Sequence, residues 1–558
     1  MRTTRGIASV AEVSRRERGT QLRARAQRRH ERDRLHMGRL ATMAVLVTGT
    51  ALVAAACGAA NPVSGRLPGS SAPFGSWPVP DAQLANSRVA PGSVITAGNV
   101  SSLREAWSFR LEGAASRGVH GVGALTAGPV VAGGVVYLQD EDANVYAVDL
   151  GTGRLKWKYV LDDPEKSGPG PDGLAMARGV VYGDSSRSVF ALSAATGKPV
   201  WLAHQLLAKG EGLFDIQPQV ADGRVYVASA YGSGPGGGVL LALDAATGRR
   251  LWTFHTVIRP GTGVSSLGAG SGGAWETPLV GTDGSITFGT GNPYQSIGSA
   301  VAHPSRQLYT DSAVNIDAAT GTLRWYYQAV PDDFQDHDLQ ASPISASVAG
   351  RPVVIVAGKM GYVYALDART GALVWKTAVG EHDGHDDDPA LALSHRLHVR
   401  YPYTDLPGSV GGVLSNLAVA GGRVYVATND EPVTYTGPDV ADGDKASSHP
   451  TGEVDALDLA TGRVVWDTRV DSMPLGAATV SNDLVFTTLY DGTLIALDRR
   501  TGAVVYRHRL PTSANAPIAV FGNTVLVPAG GPETSGRIGG HAQLVAYTLS
   551  SSKAPSGG

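Results

Sequence analysis

The chain has 558 residues, 43% hydrophobic and 17% charged, an ordinary globular composition with apolar mass for a large core. A single Cys excludes an internal disulfide framework, a cysteine-built zinc site, an iron–sulfur cluster and a CxxCH haem attachment. The net charge of −2 argues against a nucleic-acid binder, and 72 Gly, about twice the usual share, point to many tight turns.

In chain order, residues 1–56 carry twelve Arg against four acidic residues, a local +8 that leaves −10 on the rest. MGRLATMAVLVTGTALVAAAC then runs from Met37 to Cys57, with a short basic start, an apolar stretch and small residues before the only cysteine. That is the anatomy of a secretory signal, too short and Ala-rich for a membrane span. The AAAC ending resembles a bacterial lipobox, which would make Cys57 a lipidated N-terminus; a signal without lipid and a buried thiol are the alternatives. Met37 is a second candidate start, and Arg15-Arg16 stands too far from the apolar run for a twin-arginine signal. The Gly-, Ser-, Pro- and Ala-rich stretch to residue 73 reads as a flexible tether, and 550–558 as a disordered tail.

A repeat organises everything that follows. Its unit, apolar-x-A-L-D-x-x-T-G-x-x-x-W, recurs with copies ending at Trp157, Trp201, Trp252, Trp325, Trp375, Trp466 and, with tyrosine, Tyr506. Alternating apolar residues make a strand, the Asp bonds nearby amides, the Gly takes a positive φ, and the aromatic opens a return strand that packs between sheets. An eighth unit is split between LVAYTL at 544–549 and LREAWSFRLEG at 103–113. Pairing these two ends closes a ring with no open edge. The expectation is an all-β, eight-bladed β-propeller over 74–549.

The turn glycines from Gly153 to Gly502 are spaced 44, 51, 73, 50, 91 and 40 residues apart, so two gaps carry insertions. Insertions in repeat architectures map to loops, often on the binding face. Trp275 lies in the 73-residue gap after GAGSGG, as a stacking platform for a planar ligand or a core aromatic of an irregular blade. GTGNP with Asn292 follows, by itself good turn chemistry. WYYQAVPDDFQDHD at 325–338 places four Asp within seven residues, which repel unless solvated or neutralised by a cation. EHDGHDDDP at 381–389 offers His382, His385, Asp386 and Asp388 as cation ligands, but reads better as a solvated loop.

The repeat resembles the pyrroloquinoline quinone (PQQ) repeat, and WPVPDAQLANSRVAPGSVITAGNVSSLREAW at 77–107 resembles the start of quinoprotein alcohol dehydrogenases. The resemblance implies that Trp275 stacks on PQQ, that Asn292 ligates a metal and that Asp336 is the catalytic base. It also implies that Lys359 and Arg178, the latter in an Arg-Gly turn, hold the cofactor's polar edges, with Asn416 a looser cofactor-binding match. The metal would be Ca²⁺ or a lanthanide. The family's metal-ligating Glu falls near Ser233, where no carboxylate stands; Asp338 compensates in part, or the site has decayed. Thr126 stands where the family has a Glu toward the cofactor, Gln335 where it has a Trp, and Asp172-Gly173 where it often has adjacent cysteines.

Two functions follow as expectations. The first is an extracytoplasmic, lipid-anchored PQQ-dependent dehydrogenase that oxidises an alcohol or polyol and, having no haem motif, passes electrons to a separate acceptor. The second is a cofactor-free lipoprotein propeller acting as an envelope scaffold, like that of the outer-membrane β-barrel assembly machinery.

Overall fold

The computed structural model describes residues 76–112, 123–162, 173–232, 237–257, 272–439, 445–446, 450–531 and 541–550. The expectations for Cys57, the signal, the tether, the tail and Ser233 lie outside these residues. Among the described residues no helix is long and apolar enough to cross a membrane.

Eight antiparallel four-stranded sheets form the blades of a β-propeller. Blades 1 to 4 span Val130–Tyr159, Leu174–Ala203, Gln219–His255 and Leu279–Gln328, and blades 5 to 7 span Ile344–Ala378, Ala418–Val470 and Thr479–Arg509. Blade 3 carries an extra two-residue strand, Leu213–Phe214. Blade 8 takes three strands from Ala519–Leu549 and its outer strand, Leu103–Arg110, from near the start of the chain. Leu103 pairs with Leu549 and Arg110 with Gln543, so the split repeat closes the ring as its sequence implies.

Eight buried apolar clusters alternate with the blades, each drawn from two neighbouring sheets. The cluster of Val131, Val136, Phe521, Leu526 and Leu544 joins blade 8 to blade 1 and completes the circle. The repeat's Trp and Gly form a second connection. Each indole N–H of Trp107, Trp157, Trp201, Trp252, Trp325, Trp375 and Trp466 donates to a carbonyl of the next blade. Its ring lies flat on that blade's turn glycine: a Cβ on Gly371 would stand 2.5 Å from Trp325. The turn Asp accepts the N–H and hydroxyl of the Thr three positions before the return strand, as Asp149 does from Thr152.

The lead-in segment from Trp77 runs across the first strands of the blades and touches all eight. Trp77 bridges to Val131, Pro78 accepts from Met176, and Asn86 reaches Gln219, Thr277 and Pro343. Ser87 accepts from Val419, while fully buried Arg88 reaches Ala478, Thr479 and Ile518.

Within a four-stranded antiparallel blade, the turns joining strands one to two and three to four share one face. The loop between strands two and three, and the connection to the next blade, share the other. Both long insertions leave from this second face. Ile297, Ala300, Phe334, Ala392, Tyr403, Val433 and Tyr435 pack together there as a separate apolar cluster, a cap built from three inserts and the 331–338 loop.

Candidate active site

Four segments on the capped face bring most of the sequence-derived site residues together. Gly272 N–H donates to Asn292 O (3.0 Å) and Gly291 N–H to Gly273 O (2.6 Å), which sets Trp275 beside the Gly291–Asn292 turn. The approach leaves no room for a side chain: a Cβ on Gly291 would stand 2.6 Å from Asp338 Oδ1 and 2.7 Å from Trp275 Nε1. Asn292 donates its backbone N–H to Asp338 Oδ1 and its Nδ2 to Asp336 Oδ1, both at 2.7 Å.

The carboxylates of Asp336 and Asp338 converge on one cation. Lys359 Nζ stands 2.8 Å from Asp336 Oδ2 and 2.7 Å from Asp338 Oδ2, and its backbone N–H donates to Asp338 O. Burial works against the ammonium, but the two hydrogen-bonded carboxylates outweigh it and raise the Lys359 pKa. The loop that delivers Asp336 is shaped by Asp333, whose oxygens accept the N–H groups of Gln335 and His337 at 2.8 Å each. Asp336 then takes a left-handed φ of 62°, an uncommon conformation that the surrounding bonds hold.

Trp275 is half-buried, with Tyr231 edge-on to it at 4.7 Å, and its Nε1 has no hydrogen-bond partner. Next to it, Glu276 Oε2 accepts from Asn416 Nδ2 (3.3 Å). Burial, then the charge of Asp81, push the Glu276 carboxyl up to about 8. Asn416 also donates to Asp81 and accepts from Ser342 N–H, so its amide ties the lead-in segment to blades 5 and 6 below the site.

Several expectations are corrected. Arg178 is not brought to this cluster. Arg178-Gly179 is the tight turn between strands one and two of blade 2, exposed on the opposite face. Gly133-Gly134 and Asp222-Gly223 hold the same turn in blades 1 and 3, so the Arg-Gly pair answers to positive φ (50° and 78°) rather than to a ligand. In the 381–389 segment the four side chains do not meet at one point; Glu381, Asp383, Gly384 and Asp387 are exposed as in a solvated loop, while Asp388 and Pro389 are buried at the start of a short helix. His382 pairs with Asp386 (2.6 Å), which Tyr362 also reaches, and His385 pairs with Asp388 (2.7 Å), which Tyr403 also reaches. Gln335, in place of a bulky Trp, is fully buried and donates to Asp405 Oδ1 and Tyr403 in the cap. Thr126 donates its hydroxyl to the buried Glu141, so a carboxylate stands beside Thr126 after all.

Sequence reasoning missed three groups. Glu276 is one. His337 is another: burial opposes its charge, but Asp405 at 3.2 Å and Asp333 raise it to about 9. The third is Asp311, fully buried at a φ of 47°, whose N–H donates to Gly291 O. Burial and then the charges of Asp333 and Asp338 push its carboxyl well above the usual range.

A family model described as the glucose/ethanol/alcohol dehydrogenase PQQ β-propeller domain matches residues 77–382, more than half of the chain and every residue of the cluster. The chain belongs to this PQQ β-propeller family. A second model, described as outer membrane protein assembly factor BamB, matches residues 450–545 of the same ring. Quinohemoprotein alcohol dehydrogenase of Comamonas testosteroni is 29% identical over 495 residues, covering 76% of this chain and 68% of that one. Its crystal structure superposes with a TM-score of 0.71 at 24% identity, over 85% of this chain and 80% of that one. A europium-containing methanol dehydrogenase superposes at 0.70 with 21% identity, over 86% and 99%. These superpositions share the eight-bladed fold.

The donor set of this PQQ-family propeller suits a hard cation beside a planar ligand. Asn292 Oδ1 is buried and accepts no hydrogen bond, and Trp275 Nε1 donates none. An oxygen acceptor without a donor, next to two carboxylates, is what calcium-like ions coordinate. Among the described residues no three carboxylates or imidazoles already close on one point; Asp336 and Asp338 close on the Lys359 ammonium.

Proposed function

We propose that this chain is an extracytoplasmic PQQ-dependent dehydrogenase acting on an alcohol or polyol. One observation carries the reading: Trp275, Asn292, Asp336, Asp338 and Lys359, far apart in sequence, meet on the capped face within the family-matched region. Trp275 would stack on the quinone, Lys359 would hold its polar edge, and Asn292 with Asp336 and Asp338 would hold Ca²⁺ or a lanthanide. When bound, the quinone accepts a hydride and the cation polarises its carbonyl.

The chain's own residues supply the rest. Asp336 takes the alcohol proton on a carboxylate oxygen, held toward the site by Asn292 and Lys359. Lys359 keeps a positive charge where negative charge develops. The cap cluster around Phe334, Tyr403 and Tyr435 excludes water from the alcohol's path. Electrons leave to a separate acceptor. Cys57, lipidated after signal removal, would anchor the propeller to the membrane; mass spectrometry of the mature N-terminus tests this directly.

Purified protein supplied with PQQ and Ca²⁺ or La³⁺ is expected to reduce an artificial dye in an alcohol-dependent way. Asp336→Asn lowers that rate by about 10²–10⁴-fold. No dye reduction with any primary, secondary or polyhydric alcohol, under conditions where PQQ fails to bind, would reject the enzyme. The scaffold reading, which the BamB-type match at 450–545 favours, would then stand.

A further inference from the structure

We infer that Asp405 is a positioning residue for Asp336: from the cap it grips the two residues that flank the base and so fixes where the base points. The inference rests on the reading of Asp336 as the base, and it names a residue outside the cluster on which that reading was built.

Asp405 ends a three-residue strand, Tyr403–Asp405, in the insert that follows blade 5. The strand pairs antiparallel with Val433–Tyr435, from the insert of blade 6, and Asp405 stands opposite Val433. Asp405 thus belongs to the small sheet of the cap and not to a blade of the ring.

Its carboxylate is 1% exposed and reaches the 331–338 loop with both oxygens. Oδ1 accepts from Gln335 Nε2 at 2.7 Å, and Oδ2 pairs with His337 Nε2 at 3.2 Å. The same segment adds two further contacts. Gln335 Nε2 donates to the Tyr403 hydroxyl at 3.0 Å, and His337 Nε2 stands 3.1 Å from Pro407 O. Gln335 and His337 are themselves buried, so water does not compete for these partners.

The residue between them turns elsewhere, to Asn292 and Lys359. Asp336 holds a φ of 62°, a conformation that persists only where its surroundings impose it. Asp333 fixes the backbone N–H groups of Gln335 and His337, and Asp405 fixes their side chains. With both neighbours held by backbone and side chain, the carboxylate of Asp336 is left one direction. Bonds to an ionised carboxylate are about twice as strong as neutral ones, which suits Asp405 to that load. A reacting group displaced by about 1 Å can cost about 10²-fold in rate.

The test compares Asp405→Ala, which removes both grips, with Asp405→Asn, which keeps an oxygen for Gln335 but drops the charge facing His337. If the alanine variant does not fold, the asparagine variant carries the comparison. Gly197→Ala is a destabilised control in a remote joint, where a Cβ would stand 2.6 Å from the ring of Trp157. The first measurement is hydrogen exchange of the 333–338 amides in the full-length chain without PQQ. Exchange there is expected to be about tenfold faster or more in Asp405→Ala, less so in Asp405→Asn, and unchanged in Gly197→Ala. The second is dye reduction with PQQ, Ca²⁺ and an alcohol, expressed per PQQ-occupied site. The kcat is expected to fall about tenfold or more in Asp405→Ala and less in Asp405→Asn, with the alcohol KM within about twofold of wild type. In an Asp336→Asn background, Asp405→Ala should produce no further loss, because it acts through the base already removed. Wild-type exchange at 333–338, or rate losses that multiply in the double variant, overturns this inference and leaves Asp336 as the base. No dye reduction by wild type overturns the enzyme reading and this inference with it.

Discussion

At the scale of single residues, the site is held by competition for charge. Lys359 stands between two buried carboxylates, and removing one partner of a buried ion pair costs about 3–5 kcal/mol because the other charge is left uncompensated. Lys359→Met is therefore expected to lower the thermal midpoint in EDTA. Added Ca²⁺ should raise the midpoint of the variant more than that of wild type, since the ion takes over the ammonium's role. Equal Ca²⁺ shifts in the two proteins would show that Lys359 does not share its carboxylates with a cation. Trp275, Asn292, Asp336 and Lys359 were legible because each sits in a short motif that a family resemblance can carry. Arg178 was misplaced because Arg-Gly is also good hairpin chemistry, and sequence does not say on which face a turn lies. Asp311 gave no local signal: it faces Gly291 across a whole insert, and LYTDS reads simply as the approach to a strand.

At the scale of elements, each blade carries the same joint to its neighbour, and that joint was nearly all visible in the repeat. Gly462 has a φ of 72°, and a Cβ there would stand 2.7 Å from the ring of Trp375 and 2.6 Å from Thr377 Oγ1. Gly462→Ala is expected to destabilise by about 2–4 kcal/mol, combining a left-handed backbone penalty with overpacking. Exposed Gly422, with a similar φ of 74° but open space around it, should cost only the backbone part, and urea midpoints of the two variants separate the contributions. Less visible was Asp455, which the strand pattern places among apolar residues of blade 6. Burial raises its carboxyl to about 8, with Thr428 Oγ1 donating to it at 2.8 Å and Glu453 and Asp467 adding repulsion. A carboxyl raised above its unfolded value favours folding fully below the unfolded pKa of about 4, and that contribution is lost as pH climbs through 8. Asp455→Asn should match wild type near pH 4 and exceed its thermal midpoint by a margin that grows to pH 8 and then levels. A margin independent of pH would place the titration elsewhere.

At the scale of the whole molecule, the number of blades was legible because the two ends of the repeat are complementary strands. The path of the lead-in segment was not, because its contacts have no local period. Arg88 finds its partners 390, 391 and 430 residues along the chain, and nothing in SRVAPG foretells them. Its Nη1 lies 2.7 Å from Asp81, its Nε donates to Ala478 O, and its Nη2 donates to Thr479 Oγ1 and Ile518 O, all without solvent exposure. One guanidinium thus satisfies acceptors on blades 7 and 8 and neutralises the lead-in's own carboxylate, a task its planar fork performs and a lysine's point charge does not. Arg88→Met keeps most of the bulk and leaves Asp81 charged, buried and unpaired. The expected loss is about 3–5 kcal/mol, read as a lower urea midpoint. Adding Asp81→Asn removes the uncompensated charge, so the double variant should recover part of the loss even though it has fewer polar groups than either parent. Asp81 also accepts from Asn416, which holds Glu276 beside Trp275. The single variant should therefore disturb PQQ binding as well as stability, whereas Gly462→Ala, at a distant blade joint, should lower stability alone. If Arg88→Met unfolds at the wild-type midpoint, the lead-in is a passenger on the ring and not its central tie.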